Sequence, residues 1–597
     1  MMARNNYFDT AKIMSMTSMT HSSLSGTADM FNRILSIRVS LFLSLLVAVF
    51  LAFSPGIGQA AGKPIIFYTD ILSGPNIGGE NDNGAYLSIF GKNFGNSLSD
   101  VKVFINGSEV ADYKYLGASK GRPDIQQLSV QVGPVSSGPI TVEVAGVASN
   151  SNRTFTVQPG NIYYVSLSGS DSNGVVNDIT RPFRTVQDSS NNGVWPDRVG
   201  PGDMIVMRGG EWFDIGMYNR FLRTQGVSGS APTGSTGSGP ITLMGYPGEN
   251  IIIHCGSSGG IHQGGDSKWL VFANLGIVGG DSTQTDGPIN LQARSDYWRV
   301  VNNKLYDWDA GTEARAGGIA GNGNHIRLIG NHIDNIGGGT KNHGIYVDFD
   351  GSPVSVNDIE IAWNHIENST GGNLLQLYGA SGSITNVDIH HNLLHDGNRY
   401  GINLSDGSDL NIRVWNNIVY NTAYAGFRVN ANNPQGMYAF NNVFYNVDTA
   451  SYSGAVANDW SMSSAVMEFK NNIVVPASNS SRGYMNGSWG TAVFQRNLWF
   501  GDGAPPSADS SPVGGSEQDP RFVNPSFGNF NLSSTSPAID SGLNLSSVVA
   551  TDYFGNNRPI DGDNNGVAAM DVGAVEYGTS AVVLQKPATP SLTLIIQ

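Results

Sequence analysis

Ile361-Ala-Trp-Asn-His-Ile-Glu367, Ile389-His-His-Asn-Leu-Leu-His395 and Val414-Trp-Asn-Asn-Ile-Val-Tyr420 share one unit, apolar-x-x-Asn-x-apolar. The unit recurs at intervals of 28, 33, 28, 25, 25, 30 and 25 residues. Its asparagines are Asn303, Asn331, Asn364, Asn392, Asn417, Asn442, Asn472 and Asn497. A coil of three short strands and three turns needs about 25 to 30 residues, and a single coil cannot bury its own apolar face. The repeat therefore predicts a solenoid of stacked β-coils.

A second strand in each coil aligns between these asparagines. The aligned strings are Pro288–Gln292, Gly318–Asn322, Gly344–Asp348, Leu374–Tyr378, Gly401–Ser405 and Gly426–Asn430. Their branched side chains alternate with other residues, so period two turns the remaining positions outward on one face. One outward row is Asn290, Ala320, Tyr346, Gln376, Asn403 and Arg428, and the row beside it is Gln292, Asn322, Asp348, Tyr378, Ser405 and Asn430.

Another turn-forming residue stands four positions after each of the first six repeat asparagines. These residues are Asp307, Asn335, Asn368, Asp396, Asn421 and Asn446. Asn and Asp tolerate left-handed backbone geometry and bond locally or to the next coil. We predict a structural role for both asparagine rows.

The segments on either side of the repeats resemble those of a known superfamily. Ile162–Asp171, Arg181–Gln187 and Pro201–Gly210 resemble, in this order, the opening of secreted proteins of the pectate-lyase-like superfamily. That resemblance implies a first strand, a capping helix near Arg181–Gln187 and then a right-handed parallel β-helix. Four blocks, Asp519–Asn524, Gly528–Leu532, Ser536–Asp540 and Asp571–Tyr577, resemble the closing segment of bacterial secreted β-helix proteins. We predict an all-β fold with the β-helix and its closing segment over residues 161–577.

Residues 63–158 have a different pattern, with short alternating strands between Gly and Asn turns. Such spacing in under 100 residues is typical of a small antiparallel sandwich. Tyr86–Gly95, with its Gly-Lys-Asn-Phe-Gly turn, resembles the immunoglobulin-like IPT/TIG module. In that family the module spaces or binds, so we expect no chemistry there.

The N-terminal residues 1–60 read as a leader with a secretory signal. Arg33 and Arg38 precede an apolar stretch from Val39 to Phe53, and small residues follow up to a cleavage site near Ala60. The apolar stretch is shorter than the roughly 20 residues of a membrane span. We expect bacterial-type export, a secreted or cell-surface protein without a stable membrane span after cleavage, and a flexible tail over residues 578–597.

Charge and cysteine content exclude several functions. The net charge of −15 argues against a general nucleic-acid surface, which needs clustered Lys and Arg. Cys255 is the only cysteine, so the chain has neither an intrachain disulfide nor a cysteine-based zinc site. We expect an extracellular polysaccharide as the partner and no organic cofactor.

The predicted outward face suits an extended sugar chain, because rings stack on Tyr and hydroxyls bond to Asn and Gln. Ionisable groups concentrate along it at Lys341, His343, Arg399, Tyr400 and Arg428. A uronate lyase must neutralise the substrate carboxylate, remove the proton beside it and protonate the leaving oxygen. We predict Lys341 or His343 as the base, Arg399 and Arg428 as carboxylate partners and Tyr400 as the acid. Predicted substrate-binding residues are Tyr346, Asp348, Gln376, Tyr378 and Asn403.

Alternatives to the lyase remain open from sequence. The resemblance implies lyases that use Lys or Arg as base, some of which bind calcium. A glycoside hydrolase would need converging carboxylates, for which Asp348 and Asp350 are candidates, whereas a C5-epimerase shares the lyase's proton abstraction. A non-catalytic glycan-binding surface protein or adhesin is the alternative from another class. Asp561, Asp563 and Asn565 resemble the front half of a calcium loop, so Ca²⁺ is the metal that we expect.

Overall fold

The computed structural model describes residues 62–578 except 189–192, 214–215, 226–231, 280–285, 293–294, 311–316, 349–355, 380–383, 406–409 and 432–433. Its main body is a parallel β-solenoid of three sheets, with one strand of each sheet in most coils. We name the sheets A, B and C in the order in which the chain visits them. They contain 12, 11 and 10 strands, and every neighbouring pair of strands within them is parallel.

The strands of the solenoid are short, as expected for coils of this length. Sheet A consists of Ile162–Val165, Met204–Met207, Ile241–Gly245, Leu270–Ala273, Arg299–Val301, Ile326–Ile329, Val356–Ala362, Ile384–His390, Leu410–Trp415, Gln435–Phe440, Val466–Lys470 and Val493–Gln495. Sheet B consists of Gly210–Trp212, Ile251–His254, Gly276–Val278, Lys304–Ala310, His332–Gly338, His365–Glu367, Leu393–Gly397, Ile418–Thr422, Val443–Val447, Ile473–Pro476 and Leu498–Trp499. Sheet C consists of Leu222–Arg223, Ile261–His262, Ile289–Gln292, Ile319–Gly321, Ile345–Asp348, Leu375–Tyr378, Ile402–Ser405, Phe427–Asn430, Val456–Ser461 and Met485–Ser488.

The inward side chains of the three sheets form one continuous apolar core. Ile361 of sheet A, Ile366 of sheet B and Leu377 of sheet C are each fully buried in it. Every coil adds a similar set of branched side chains, which are buried mainly against the side chains of the neighbouring coils. This is why the repeat has to stack to be stable.

The eight repeat asparagines stack at the corner between sheets A and B and are fully buried. Each side-chain amide donates to the amide oxygen of the next coil, as from Asn392 Nδ2 to Asn417 Oδ1 at 2.9 Å. Each Nδ2 also donates to a backbone carbonyl, as from Asn417 to Ile389 O at 2.9 Å. The ladder ends where Asn497 Nδ2 donates to Asp509 Oδ2 at 2.9 Å. It thus satisfies the polar groups that the corner would otherwise leave unpaired in the core.

Residues 63–158 form two sheets, which we call the N-terminal module. The first orders its strands Ile65–Thr69, Tyr86–Lys92, Gln126–Gln131 and Asp112–Ala118. The second orders Ser73–Gly74, Thr154–Val157, Gly138–Val144, Val101–Ile105 and Ser108–Glu109, with Val147–Ala148 beside Gly138–Val144. Both sheets bury side chains in one apolar cluster, which extends onto outward residues of sheet A such as Met244 and Val301. The immunoglobulin-like identity of this module and the right-handed winding of the solenoid stay predictions.

The segment after the last coil, residues 509–577, covers the outward side of sheet B over its later coils. Its Phe530 and Tyr553 share an apolar cluster with outward residues of sheet B such as Ile418 and Val443. It contains the antiparallel pair Phe522–Asn524 and Asn529–Leu532 and the short 3₁₀ helices Val513–Gly515 and Pro525–Phe527. Further 3₁₀ helices are Glu80–Asp82, Leu98–Asp100 and Met217–Asn219.

Both additions dock on the same corner of the solenoid. The residue before each of the eight ladder asparagines has a positive φ, and these residues are Asn302, Gly330, Trp363, His391, Asn416, Asn441, Asn471 and Arg496. The N-terminal module packs on the earlier ones, as where Phe67 stacks on Trp363 at 4.3 Å. The C-terminal segment meets the later ones, as where Asn416 Nδ2 donates to Thr551 O at 2.6 Å. A left-handed tryptophan costs about 1–2 kcal/mol, which the stacking contact offsets.

The capping helix implied by the resemblance is absent from the described residues 181–188 and 193–200, where Phe183 instead forms a β-bridge with Val165. That bridge already closes the first coil, so those residues need no helix. The leader with its signal and nearly all of the tail lie outside the described residues. Within the part of the chain that the structure describes, no helix has the length and apolar character to cross a membrane.

We expect Asn417→Ala to lower the free energy of unfolding by about 3 kcal/mol, because it leaves the Asn392 backbone N–H and the Ile389 carbonyl unpaired in the core. Urea unfolding followed by circular dichroism measures the change. Asn96→Ala, at an exposed asparagine, is the control and should shift the stability by less than about 0.5 kcal/mol. Equal losses in the two variants would mean that the ladder adds no stability.

Candidate functional site

The outward face of sheet C brings the predicted row of residues into one line. Backbone pairing aligns Tyr346 with Gln376, Gln376 with Asn403, and Asn403 with Arg428. Pairing also aligns Asp348 with Tyr378 in the second row. Neighbouring strands lie about 4.8 Å apart, so a linear ligand along the solenoid axis meets a new side chain at every coil.

The side chains of this row are recessed rather than fully exposed. Tyr346 is 9% exposed, Gln376 8% and Asn403 3%, and Asp348 in the second row is 7% exposed. Tyr378 is half-buried. The two tyrosines are therefore packed against neighbouring side chains, whereas the sequence had suggested that they lie freely on the surface. Tyr346 lies between the His343 ring at 4.7 Å and the Tyr378 ring at 6.4 Å.

A column of tyrosines lies in the turns that precede the strands of sheet C. Tyr400 meets Tyr424 edge to face at 5.1 Å, and Tyr424 stacks on Tyr452 at 4.5 Å. Tyr452 is 59% exposed, which makes it an open aromatic surface at one end of the column. The guanidinium of Arg399 lies over the Tyr424 ring at 5.5 Å. The column therefore combines aromatic faces with positive charge.

Arg428 contacts three side chains of this face. Its guanidinium lies 4.7 Å from the centre of the Tyr400 ring, and its Nη1 donates to Asn403 Oδ1 at 3.0 Å. Its Nη2 donates to the half-exposed Asp459 carboxylate. Burial raises the pKa of the Tyr400 hydroxyl to about 12, so this group is protonated at neutral pH. The structure thus brings together three of the predicted catalytic residues, Arg399, Tyr400 and Arg428.

His343 has a geometry that does not suit a catalytic base. Its Nδ1 accepts a hydrogen bond from the backbone N–H of Asn373 at 2.8 Å. Burial, followed by the charge of Arg399, lowers the pKa of the imidazole to about 3. The ring is neutral at pH 7 and fixes the turn of the next coil, whose Asn373 Nδ2 donates to Gln376 Oε1 at 2.5 Å. The role of His343 as a base therefore stays a prediction that this geometry does not favour.

Lys341 is exposed in the turn before His343, two coils upstream of Tyr400. Two coils correspond to about 10 Å between backbones, a distance that a lysine side chain and a bound sugar can span together. Lys341 likewise stays a predicted base.

Sequence reasoning missed the exposed aromatic residues at the downstream end of sheet C. Trp460 is 48% exposed, and its indole N–H donates to Asn430 Oδ1 at 2.8 Å. Exposed Tyr452 belongs to the tyrosine column. Both follow the last aligned string of the sequence repeat, and irregular coil lengths there hid their register.

Sequence reasoning also missed a cluster of histidines on the outward side of sheet B, which consists of His332, His365, His395 and Glu367. His332 Nε2 donates to Glu367 Oε1 at 2.9 Å. The Nε2 atoms of His365 and His395 lie 2.8 Å apart, and each lies 3.7 Å from an oxygen of Glu367. The outward positions one and three residues after each ladder asparagine are the signal that would have found it.

The predicted calcium loop forms a compact acidic turn. Oxygens of Asp540, Asp561 and Asp563 lie within 4.8 Å of one another. Asp561 accepts the backbone N–H groups of Asn565 and Gly566, at 3.1 and 2.9 Å. These carboxylates already accept hydrogen bonds of the turn, and calcium binding here stays a prediction.

No protein-family profile matches the sequence, and no curated protein is significantly similar to it. Three solved structures are similar in fold. Pectate lyase Pel9A is 16% identical with a TM-score of 0.36, over 70% of this chain and 97% of that one. The A-module of Azotobacter vinelandii mannuronan C-5 epimerase AlgE4 is 13% identical with a TM-score of 0.27, over 48% and 88%. The catalytic unit of a thermostable GH87 α-1,3-glucanase from Streptomyces thermodiastaticus strain HF3-3 is 11% identical with a TM-score of 0.24, over 72% and 85%. Similarity at this level does not identify an activity for this chain.

The neutral His343 predicts a pH dependence of stability. Its pKa rises from about 3 in the native chain to about 6.5 on unfolding, so below pH 6.5 the unfolded state binds a proton that the native state does not. Stability is therefore lost as the pH falls through this window. We expect His343→Asn, whose Oδ1 can still accept the Asn373 N–H, to remove about 1–2 kcal/mol of the loss between pH 7 and 5. Urea unfolding at both pH values measures this, and an unchanged pH dependence would contradict a neutral His343.

Proposed function

We propose that the chain is a secreted carbohydrate-active enzyme that binds a uronic-acid-containing polysaccharide along sheet C and cleaves it by β-elimination. The observation that carries the proposal is the outward row of sheet C, where Tyr346, Gln376, Asn403 and Arg428 follow one another in register. Beside it run the tyrosine column and its arginines. An aromatic, amide and cationic track of this kind is complementary to a linear acidic glycan.

The surroundings of sheet C support the same use. The N-terminal module packs on sheet A, and the C-terminal segment packs on the later coils of sheet B. The outward rows of sheet C are polar, as in Asn403 and Arg428, whereas the surfaces that the two additions cover include apolar residues such as Val301 and Val443. Polar side chains there need a polar partner, which water or a sugar chain supplies.

The proposed reaction assigns one task to each residue. Arg399 and Arg428 bind the uronate carboxylate and stabilise the negative charge that develops when the adjacent C5 proton is removed. The Lys341 amine, when unprotonated, takes that proton, the C4–O4 bond breaks, and the Tyr400 hydroxyl protonates the leaving oxygen. The product carries a C4–C5 double bond, so the step needs no water, oxidant or metal ion to balance. The pKa of Tyr400 is raised to about 12, so its hydroxyl carries the proton at neutral pH.

Glycan binding without chemistry is the second candidate, and one observation favours it. Arg428 is already paired with the protein's own Asp459, which occupies a carboxylate position on that guanidinium. A substrate carboxylate has to displace Asp459 or bind through Arg399 alone. We propose export and a cell-surface or secreted location for the protein under either candidate function.

Incubation of the purified protein with a panel of acidic polysaccharides tests the lyase. We expect ultraviolet absorbance from the unsaturated uronate, and we expect Tyr400→Phe to lower kcat by about 100-fold or more because the acid is lost. Arg181→Ala, at an arginine with 61% side-chain exposure in the first coil, is the control and should keep full activity. Binding without product from every polysaccharide would leave the glycan-binding protein as the function. Absence of both product and binding would overturn the proposal.

The exposed aromatic residues give a separate test of glycan binding. We expect Tyr452→Ala and Trp460→Ala each to raise the Kd for the bound polysaccharide about tenfold, because each removes a stacking surface worth about 1.4 kcal/mol. Isothermal titration calorimetry measures the change. Phe213→Ala, at a phenylalanine 63% exposed on the first coils, is the matched control. Unchanged affinity in both variants would place the ligand away from the tyrosine column.

A further inference from the structure

The histidine cluster of sheet B is distinct from the face of sheet C in both position and chemistry. Its four residues come from three successive coils, with His332 paired to His365 in one row and Glu367 paired to His395 in the neighbouring row. None of the four residues is needed for the proposed cleavage. Their side chains are 10%, 7%, 4% and 12% exposed for His332, His365, His395 and Glu367.

Burial of three imidazoles around one carboxylate is costly unless their polar atoms share a partner. The ring planes of His332 and His365 are nearly parallel, at a centroid distance of 4.5 Å, and the His395 ring is sandwiched between His365 and Tyr420. This stacking limits the rotation of the rings. The nitrogen atoms thus converge on Glu367 with little freedom to turn away.

Ligand atoms of His332, His365 and Glu367 lie within 4.8 Å of one another, and so do those of Glu367, His395 and Asp396. Zinc–nitrogen bonds of 2.0–2.1 Å place tetrahedral ligands about 3.3 Å apart. The distances from Nε2 to Nε2 or to Glu367 oxygen are 2.8, 2.9, 3.7 and 3.7 Å, which bracket that value.

The chemistry of the ligand set is that of a divalent transition metal. Imidazole nitrogen suits zinc, and four protein ligands saturate a tetrahedral site, which is typical of a structural rather than a catalytic ion. Asp334 lies on the same outward row as Glu367 and His395, and Asp396 follows His395 in the sequence. Lys304 is a cation that pairs with His332 from one coil upstream. The guanidinium of Arg122 is a second cation that acts on His365.

We propose that His332, His365, His395 and Glu367 form a structural zinc site that joins three successive coils of sheet B. The ion would tie the coils together from outside, directly beside the point where the C-terminal segment begins to cover the sheet. Tyr420, which stacks on His395, also contacts Phe530 of that segment at 5.2 Å. Zinc binding therefore stabilises the middle of the solenoid and takes no part in the proposed reaction on sheet C.

Metal titration of the full chain tests the site. We expect metal-free protein to take up about one Zn²⁺ per chain after dialysis, measured by elemental mass spectrometry, and to gain several degrees in Tm. Co²⁺ in its place should give the visible absorption of a tetrahedral nitrogen and oxygen site. His365→Ala and Glu367→Gln should lose both the bound metal and the absorption band.

His254→Ala is the matched control, since His254 lies on the outward side of the same sheet, outside the cluster, and pairs with Glu211 at 3.2 Å. It should keep the bound zinc. If His365→Ala does not fold, Glu367→Gln decides, because it preserves the shape and the hydrogen bond from His332 while removing the charged ligand. Absence of zinc uptake by the unaltered chain overturns the proposal. So does a Glu367→Gln variant that keeps both the bound zinc and the Co²⁺ absorption band.

Discussion

The stacked asparagines at the corner between sheets A and B fix the register of the whole solenoid. Each one is fully buried and bonds both to the next asparagine and to a backbone carbonyl of a neighbouring coil. A slip of one residue would place an unpaired amide in the core and turn every side chain of the adjoining strands to the other face. The position of Arg428 beside Asn403 therefore depends on asparagines in a different part of each coil.

The three faces of the solenoid differ in what their outward side chains need. Sheet A presents apolar residues under the N-terminal module, and sheet B presents apolar residues under the C-terminal segment. Polar outward side chains lie on sheet C, in the histidine cluster of sheet B, and in a charged row of sheet A that contains Arg299, Arg327, Glu360, Asp388 and Arg413.

Much of this arrangement could be predicted from sequence, because spacing and period two are local properties of the repeat. The asparagine ladder and the alignment of Tyr346, Gln376 and Asn403 follow from them. The pairing of Arg428 with Asp459 could not be predicted, because their strands are joined by a coil of irregular length. The neutral state of His343 depends on burial and on a bond from the next coil, which no local pattern encodes. The histidine cluster was accessible to the same period-two rule, applied to the strand after each ladder asparagine.

The docking of both additions on one corner has a topological consequence. Lys63 and Gly578, near the two ends of the described chain, line the same cavity of about 540 Å³ together with Trp363 and Trp415. Both ends of the described chain therefore lie beside the corner between sheets A and B, away from sheet C. A short peptide could join them, and new ends could be opened in a surface turn, to give a circularly permuted chain with the same coils. A tether attached at either end would likewise hold the solenoid with sheet C turned away from the point of attachment.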